Sequence, residues 1–303
     1  MTKLVLIDGN AILHRAYHAL PPLTTKRGEP INAVYGLTSM LLRVIQDLKP
    51  THIAVAFDRK EPTFRHKEFA GYQAQRPPMD KDLSSQFQKA KDVLTAMTIP
   101  IYEMAGFEAD DVIGTIALQS TQNPKVDEVV IVTGDRDILQ LVDDKKGVRV
   151  YLPIKGLSEA KLMGESEVVE KMGVEPKKIV DYKALVGDQS DNYSGVAGIG
   201  PKTAIKLLDE YGTLDNIYNN LKKINPALRE KLEKGKENAH LSLRLARIVT
   251  DVDLGDDLEK AKMWRVDSQK LLNLFADFGF KTLTKRVKEV GKQIVSENQT
   301  NLF

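Results

Sequence analysis

The chain has 303 residues, of which 42% are hydrophobic and 28% charged, a composition typical of soluble globular proteins. Its net charge is only +2, so attraction to a polyanion would require local clusters of Lys and Arg. No apolar run reaches the ~18–20 residues that span a bilayer, and the N-terminal residues do not have the pattern of a signal peptide. Cysteine is absent, which excludes disulfides, thiolate zinc sites and cysteine nucleophiles and fits a cytosolic protein.

Short apolar runs predict the strands of a parallel sheet. They cover residues 3–7, 52–57, 128–133 and 148–152. Between the first two runs, apolar residues recur with a helical period, most clearly over 34–48. Strands that alternate with helices favour an α/β fold with a doubly wound parallel sheet.

After residue 164 the pattern predicts helices and no further strands. The predicted helices are 165–172, 176–187, 201–211, 226–234, 236–249, 267–278 and 281–290. We therefore predict an α/β core at 1–164, a helical domain at 165–290 and a tail at 291–303. Residues 59–98 lack core periodicity and are predicted to be an insertion that projects from the core, with one helix at 81–97.

Three carboxylates lie within four residues, in Glu108-Ala109-Asp110-Asp111, where an apolar helical pattern begins. Neighbouring positions on a first helical turn would let these carboxylates converge on one small volume. Like charges that close cost free energy unless a cation lies between them. The alternative is that acids simply favour the first turn of a helix, where the macrodipole is positive.

Other acids follow the predicted strands directly. Asp8, Asp58 and Asp135 each come at a strand end, and Asp137 lies two residues further on. Ligands of open α/β sheets bind at the carboxyl ends of the strands, so we predict that seven acids meet on one rim. Taken singly, each aspartate could be the N-cap of the next helix. Taken together, oxygen ligands alone favour Mg²⁺ or Mn²⁺, and their number suggests two ions ~4 Å apart, which suits in-line displacement at phosphorus.

Two more acids, Asp188 and Asp191, precede a glycine-rich turn. Their spacing does not match an EF-hand loop, and a solvent-exposed turn is the alternative for this segment. The residues that follow predict a helix–hairpin–helix at 187–208, in which glycine backbone N–H groups and a helix N-terminus approach a phosphate. A plain turn between two helices is the alternative here. The candidate DNA contacts are Gly198, Gly200, Lys202 and Thr203.

Such a hairpin would bind the backbone of a duplex without reading its sequence. Basic clustering elsewhere adds weak support for a polyanion partner. Residues 222–236 hold six Lys or Arg against two Glu, and residues 281–292 hold five against one. A run of charge is more often a solvated face.

The motifs resemble those of the 5′-nuclease domain of bacterial DNA polymerase I and its flap-endonuclease relatives, over nearly all of residues 3–290. The motifs are Leu6-Ile7-Asp8-Gly9-Asn10, Ala56-Phe57-Asp58, Phe64-Arg65, Tyr72-x-x-x-Arg76, Glu108-Ala109-Asp110-Asp111, Thr133-Gly134-Asp135-Arg136-Asp137, Gly187-Asp188-x-Ser190-Asp191-Asn192 and the hairpin. The resemblance implies a PIN-like nuclease core, a helical arch formed by the 59–98 insertion, and a helical duplex-binding domain. It also implies a monomer that acts in the bacterial cytoplasm at the nucleoid.

The resemblance distributes nine carboxylates over two metal sites. The first ion would use Asp8, Asp58, Glu108 and Asp110, and the second would use Asp111, Asp135, Asp137, Asp188 and Asp191. Arg65, Tyr72 and Arg76 would act on a threaded strand by stacking and phosphate contact, with Arg76 among the catalytic residues. The implied cofactors are Mg²⁺, for which Mn²⁺ would be a substitute, and K⁺ at the hairpin.

The family cuts 5′ flaps and digests 5′ ends, removing primer RNA. The implied partners are therefore branched or nicked duplex DNA and RNA–DNA hybrids. This chain departs from the family at Gln73, where a lysine usually contacts phosphate near the scissile bond, and at Asn192-Tyr193-Ser194-Gly195, where the family reads Asn-Ile/Leu-Pro-Gly.

No polymerase domain follows residue 303, so we expect either a stand-alone nuclease or a piece of a polymerase. The last residues, 299–303, resemble a short sliding-clamp-binding peptide, with Thr300 where an apolar residue is usual. Two other functions stay open: a PIN-type ribonuclease, which the core carboxylates permit, and a non-catalytic junction-binding module. Intact acids at all nine positions argue against the module, because a pure binder gains nothing from their repulsion.

Overall fold

A computed structural model describes residues 1–155, 159–255 and 258–300. Six strands form one sheet in the order β3-β2-β1-β4-β5-β6. The strands are β1 (Lys3–Asp8), β2 (His52–Ala56), β3 (Ile101–Tyr102), β4 (Glu128–Val132), β5 (Val148–Lys155) and β6 (Glu159–Met163). The first five strands in this sheet order are parallel to their neighbours, and β6 is antiparallel to β5.

Helices cover both faces of this sheet. In the first half of the chain they are α1 (Gly9–Ala19), α2 (Asn32–Leu48), α3 (Phe64–Glu68), α4 (Lys81–Ser84), α5 (Gln86–Ala96) and α6 (Ala109–Gln122), with a 3-10 turn at Asp137–Leu141. The predicted fold class and the four predicted strands are confirmed. Sequence analysis missed β3, which has two residues, and β6, whose Glu-Ala-Lys-Leu-Met sequence is too polar to read as a buried strand.

The second half is mostly helical. Its helices are α7 (Glu165–Met172), α8 (Ile179–Val186), α9 (Pro201–Tyr211), α10 (Leu214–Asn219), α11 (Pro226–Lys234), α12 (Lys236–Ala246), α13 (Gln269–Phe278) and α14 (Lys281–Thr300), with 3-10 turns at Pro176–Lys178, Leu221–Lys223 and Leu258–Lys262. The six-residue α10 was not predicted. The prediction of helices alone was also wrong, because Gly187–Asp188 (β7) and Tyr193–Ser194 (β8) form a short antiparallel pair. Among the described residues, every helix is too short or too polar to cross a membrane.

Alternate residues of the central strand belong to two separate cores. Leu4 and Leu6 of β1 pack in a core that includes α6 and the helices from α7 to α12, whereas Val5 and Ile7 pack in a core that includes α2 and α5. Successive side chains of a strand point to opposite faces, so one apolar run can serve both cores. This explains why β1 reads as a continuous hydrophobic run.

The last two helices pack with the first part of the chain. Leu271 and Phe275 of α13, and Leu283 and Val287 of α14, are buried in the same core as α2 and α5. The sequence prediction placed these helices in one contiguous domain at 165–290. The structure instead divides that segment, with α7 to α12 on one side of the sheet and α13 and α14 on the other.

The 59–98 insertion does not project from the core as predicted. Its second half forms α5, whose Ala90, Val93 and Leu94 are buried against α2 and α13. Its first half contacts the loop that follows α8. Two hydrogen bonds join them: Gln73 N donates to Asp191 O (2.9 Å), and Asn192 Nδ2 donates to Gly71 O (2.7 Å). The single helix predicted at 81–97 is split between α4 and α5.

Candidate metal centre

The carboxyl end of β1 places the first acid. Asp8 is the last residue of β1 and also the N-cap of α1: its Oδ1 accepts from Ala11 N (2.9 Å) and its Oδ2 from Thr133 Oγ1 (2.7 Å). The side chain is 4% exposed. The helix-cap interpretation of Asp8 is therefore correct, but the same carboxylate also faces the acidic cleft described below.

The acids after β2 and β4 are fixed by similar bonds. Asp58 Oδ1 accepts from Ala109 N (2.7 Å), which ties the end of β2 to the start of α6. Asp135 Oδ1 accepts from the backbone of Asp137 (2.8 Å). Because β1, β2 and β4 are parallel neighbours, their carboxyl ends bring these acids to one edge of the sheet.

One cleft of about 1090 Å³ opens at this edge. Seven of the nine predicted carboxylates line it: Asp8, Asp58, Glu108, Asp110, Asp135, Asp137 and Asp191. The eighth, Asp188, lies beside it, because oxygen atoms of Asp137, Asp188 and Asp191 are all within 4.8 Å of one another. The structure therefore brings together acids that lie as much as 183 residues apart in the chain.

Burial and mutual repulsion raise the pKa values of several of these acids. Burial is the largest cause in each case, and the pKa rises to about 7 for Asp8, for Glu108 and for Asp137. The pKa of Asp110 is raised well above its usual value, by burial and then by the charges of its neighbours, chiefly Asp135. Any cation that enters the cleft would therefore stabilise the ionised form of these carboxylates.

Lys183 supplies one such cation from within the chain. Its Nζ forms ion pairs with Asp137 and with Asp188 Oδ2, the latter at 2.5 Å. Burial alone would raise the pKa of Asp188, but Lys183 and Ser190 outweigh it and lower the pKa. Sequence analysis did not single out Lys183. Its position on α8, five residues before Asp188, was the available signal, but nothing in the spacing showed that the helix would turn it toward Asp137.

Asp111 does not join the acids of the cleft, contrary to the prediction. It is fully buried, and both of its oxygens are bound by Arg65, at 2.7 Å and 2.9 Å. Glu108 N and Val249 N donate to the same carboxylate at 3.0 Å and 2.8 Å. The three acids of 108–111 thus diverge, because Asp111 points inward while Asp110 and Glu108 line the cleft.

Arg65 and Tyr72, which are predicted to act on a threaded strand, lie in the wall of the cleft as buried side chains. Both side chains are only 3% exposed. Arg65 donates to the backbone oxygens of Leu245 and Arg247 besides pairing with Asp111. Tyr72 is likewise engaged, since its hydroxyl lies 3.2 Å from Glu108 Oε2 and 3.3 Å from Asp191 Oδ2. Both residues line the cleft, and in this conformation their polar groups are engaged by the acids and, for Arg65, by backbone oxygens.

Gln73 and Arg76 hold another acid of the cleft. Asp191 Oδ1 accepts from Gln73 Nε2 (3.0 Å) and from Arg76 Nη2 (2.7 Å). Arg76 keeps 53% of its side chain exposed, so it can still meet a ligand at the mouth of the cleft. The residue that replaces the family's usual lysine, Gln73, is thus a hydrogen-bond partner of Asp191.

Tyr193 lies next to the same acids. Burial is the main cause of its raised pKa, followed by the charges of Asp137, Asp188 and Asp191. Its hydroxyl oxygen is the single buried side-chain nitrogen or oxygen without a hydrogen-bond partner in the described part of the chain. The sequence showed Tyr193 only as a departure from the family's usual Ile or Leu.

The glycine-rich turn connects β8 to α9. Gly198 has φ +79°, and Lys231 Nζ donates to its carbonyl oxygen at 3.2 Å. Gly195 packs so tightly that a Cβ there would lie 2.3 Å from Leu185 O. Gly200 is the N-cap of α9, and Lys202 is exposed on the first turn of that helix. The turn therefore presents a helix N-terminus and a lysine to solvent, as the hairpin prediction requires.

Comparison with known proteins shows the family of this chain. The model of the 5′-3′ exonuclease N-terminal resolvase-like domain matches residues 3–173, and that of the 5′-3′ exonuclease C-terminal SAM fold matches residues 174–269. The chain belongs to the 5′-3′ exonuclease family. This membership confirms the resemblance that the motifs indicated. It also confirms the predicted class of enzyme, a nuclease.

Relatives in this family occur at two lengths. A 5′-3′ exonuclease of Aquifex aeolicus is 38% identical over 303 residues, which is 100% of both chains. DNA polymerase I of Caldicellulosiruptor bescii is 45% identical over 285 residues, covering 94% of this chain and 33% of the polymerase. The chain thus spans about a third of the length of the DNA polymerase I relatives that it matches.

Solved structures agree on the fold. A complex of bacteriophage T5 D15 flap endonuclease with DNA and metal ions has a TM-score of 0.67 at 19% identity, covering 95% of this chain and 97% of that one. The catalytic core of Rad2 in complex with a DNA substrate has a TM-score of 0.58 at 17% identity, covering 95% and 91%. At these identities the similarity confirms the PIN-like core and helical second half, and no more.

Proposed function

We propose that this member of the 5′-3′ exonuclease family is a metal-dependent nuclease that cuts the phosphodiester backbone of branched DNA near a 5′ single-stranded flap. The observation that carries the proposal is the convergence of seven carboxylates on one cleft, with an eighth beside it. Buried acids with pKa values near 7 are destabilising unless the site binds cations. The related complex of T5 D15 flap endonuclease contains DNA and metal ions, which supports the same interpretation.

The donor set fits two divalent ions. All candidate ligands are carboxylate oxygens, which suit Mg²⁺ and Mn²⁺. We assign one ion to Asp8 and Asp110, with Asp58 and Glu108 beside them, and the other to Asp135, Asp137, Asp188 and Asp191. Bound there, a pair of divalent ions supplies a polarised water as nucleophile and positive charge at the leaving oxygen.

The chain's own residues position the acids and the DNA. Thr133 and Ala11 orient Asp8, and Gln73 and Arg76 orient Asp191. The exposed part of Arg76 lies at the mouth of the cleft, where it would contact a phosphate. Outside the cleft, the 195–204 turn, with Lys202, would hold the duplex backbone through N–H groups and charge.

Several finer assignments belong to the same proposal. We propose Mg²⁺ as the working cofactor, with Mn²⁺ as a substitute and K⁺ at the hairpin, and a monomer that acts on DNA in the bacterial cytoplasm. Primer RNA annealed to DNA would be a further substrate. The clamp-binding prediction at 299–303 involves residues 301–303, which lie outside the described residues; equal clamp binding with and without residues 298–303 in a pull-down would end that idea.

The test is cleavage of three matched substrates: a 5′-flap DNA, a nicked duplex and an RNA-only flap. With Mg²⁺ we expect cutting of the DNA flap near its junction and none in EDTA. Asp135→Asn should lower the cleavage rate more than ~100-fold, because replacing even a hydrogen-bond partner of a metal ligand lowers metal affinity or activity by about 10- to 100-fold. Asp277→Asn, which changes an exposed acid on α13, should leave the rate unchanged. Cleavage that survives chelation would refute the metal mechanism, RNA-only cutting would favour the PIN-type ribonuclease, and binding without cutting would favour the junction-binding module.

A further inference from the structure

Tyr193 is buried beside the second group of metal-binding acids. It lies in β8, paired with Asp188 of β7, and its side chain is 4% exposed. The ring packs in a small core with Tyr72, Leu245 and Ala246. This packing fixes the ring from several sides, so the hydroxyl has little freedom to reach solvent.

The Tyr193 hydroxyl is the one buried side-chain polar atom without a partner in the part of the chain that the structure describes. Burying a hydroxyl without a hydrogen bond costs free energy, and an unpaired polar group in a folded protein therefore needs an explanation. A phenylalanine would fill the same space at no such cost.

The surroundings of the hydroxyl point to a specific partner. Tyr193 is paired with Asp188 across β7 and β8 and follows Asp191 by two residues. Oxygen atoms of Asp137, Asp188 and Asp191 lie within 4.8 Å of one another, close enough to bind one ion. A phenol is a hydrogen-bond donor, and the oxygens around a bound divalent ion are strong acceptors.

We propose that Tyr193 is a positioning residue of the metal centre: its hydroxyl donates a hydrogen bond to an oxygen that coordinates the ion held by Asp137, Asp188 and Asp191. The inference rests on the proposed metal-dependent function. Groups that hydrogen-bond to the ligands of a metal ion fix the orientation of the coordinating oxygens. Their removal weakens metal binding although the ligands themselves remain. The unpaired hydroxyl is thus a cost of the metal-free protein that ion binding relieves.

The experiment compares the full chain with Tyr193→Phe and with a matched control, Tyr218→Phe. Tyr218 is a half-buried tyrosine of α10 whose hydroxyl already donates to Leu232 O at 3.1 Å. For each protein, Mn²⁺ is titrated at a temperature where the protein is folded, and free Mn²⁺ is followed by its electron paramagnetic resonance signal. Urea unfolding is then measured in EDTA.

We expect Tyr193→Phe to bind one Mn²⁺ about 10-fold more weakly than the unchanged protein. In EDTA it should be at least as stable, since the substitution removes an unpaired hydroxyl. Tyr218→Phe should show the reverse: lower stability in EDTA, because it loses an existing hydrogen bond, and unchanged Mn²⁺ affinity.

Unchanged Mn²⁺ affinity in Tyr193→Phe, whatever its stability, would overturn the inference and leave Tyr193 as a packing residue. The failure of the proposed function would look different, since the unchanged protein would then bind no Mn²⁺ at the cleft. Equal loss of Mn²⁺ affinity in both variants would also overturn the inference, because the loss would then not depend on the position of the hydroxyl.

Discussion

Arg65 and Asp111 form a two-point ion pair in the interior, with Nη1 2.7 Å from Oδ2 and Nη2 2.9 Å from Oδ1. Arg65 also donates to the backbone oxygens of Leu245 and Arg247, and Asp111 accepts from Val249 N. The pair therefore joins α3, the start of α6 and the segment after α12. We propose that Asp111 holds the start of α6 in place and does not bind a metal ion.

This role predicts that Asp111→Ala lowers the free energy of unfolding by about 3–5 kcal/mol, because it leaves Arg65 buried without its partner. Mn²⁺ affinity of the folded protein should change little, whereas Asp110→Asn should weaken it strongly. The double variant Arg65→Met/Asp111→Leu removes both charges but also leaves four backbone groups without these hydrogen-bond partners, so it should recover only part of the lost stability. Urea unfolding and Mn²⁺ titration measure both quantities. Loss of an ion from Asp111→Ala at unchanged stability would show that Asp111 is a ligand after all.

Lys183 should compete with a metal ion for the same carboxylates. Lys183→Met removes the cation paired with Asp137 and Asp188, so we expect tighter Mn²⁺ binding, by several-fold, and lower stability in EDTA. The control Lys177→Met removes the same charge from a side chain that is 80% exposed and should change neither quantity measurably. Weaker Mn²⁺ binding in Lys183→Met would mean that the lysine helps to hold the site open for the ion.

The metal-free protein should lose stability as the pH rises. The pKa values of Asp8, Glu108 and Asp137 are about 7 in the folded protein and lower in the unfolded chain, so between about pH 4 and pH 7 the folded state binds more protons. Its free energy of unfolding in EDTA therefore falls across this range. Because ions replace these protons, stabilisation by Mg²⁺ should grow with pH over the same range.

Urea unfolding at several pH values, with EDTA and with Mg²⁺, measures this dependence. Asp8→Asn removes one of the titrating groups and should flatten the decline in EDTA. If stability in EDTA instead rose steadily from about pH 5 to pH 8, then these carboxyl groups would not have the raised pKa values that we describe.

The glycine-rich turn should bind duplex DNA through its backbone. Lys202→Ala should weaken binding to duplexes of any sequence and lower the slope of log affinity against log salt by about 1. Gly198→Ala should weaken it further, since residue 198 has a positive φ and a Cβ there would lie 3.1 Å from Lys231 Nζ. Lys161→Ala, on the exposed edge strand β6, is the matched loss of charge and should leave affinity unchanged. A sequence-dependent loss in Lys202→Ala would contradict backbone recognition.

Sequence reasoning was most successful where local pattern and topology coincide. The runs that became β1, β2 and β4 were recognisable from hydrophobicity alone, and parallel pairing then placed Asp8, Asp58 and Asp135 on one edge. It was least successful for contacts between distant segments. Nothing near Asp111 in the sequence shows that Arg65 binds it, since the two residues lie 46 positions apart and meet only after α3 folds against α6.

The same limit explains the insertion and the last two helices. The weak apolar pattern of 86–97 is too short to show that α5 packs in the core, and no local signal shows that α13 and α14 return to α2 and α5. Lys183 and Tyr193 were not predicted as site residues for a similar reason. Each lies near acids that only the fold brings together, and a lysine on a helix or a tyrosine before a glycine-rich turn is common by itself.

We propose that acids from distant parts of the chain form one site for two divalent ions. An anomalous difference map from a crystal of the full chain with Mn²⁺ would locate these ions. We predict two peaks in the cleft, one bounded by Asp8 and Asp110 and one by Asp137, Asp188 and Asp191, with none at Asp111. A map without peaks in the cleft, or with Mn²⁺ bound only to separate surface acids, would contradict the claim.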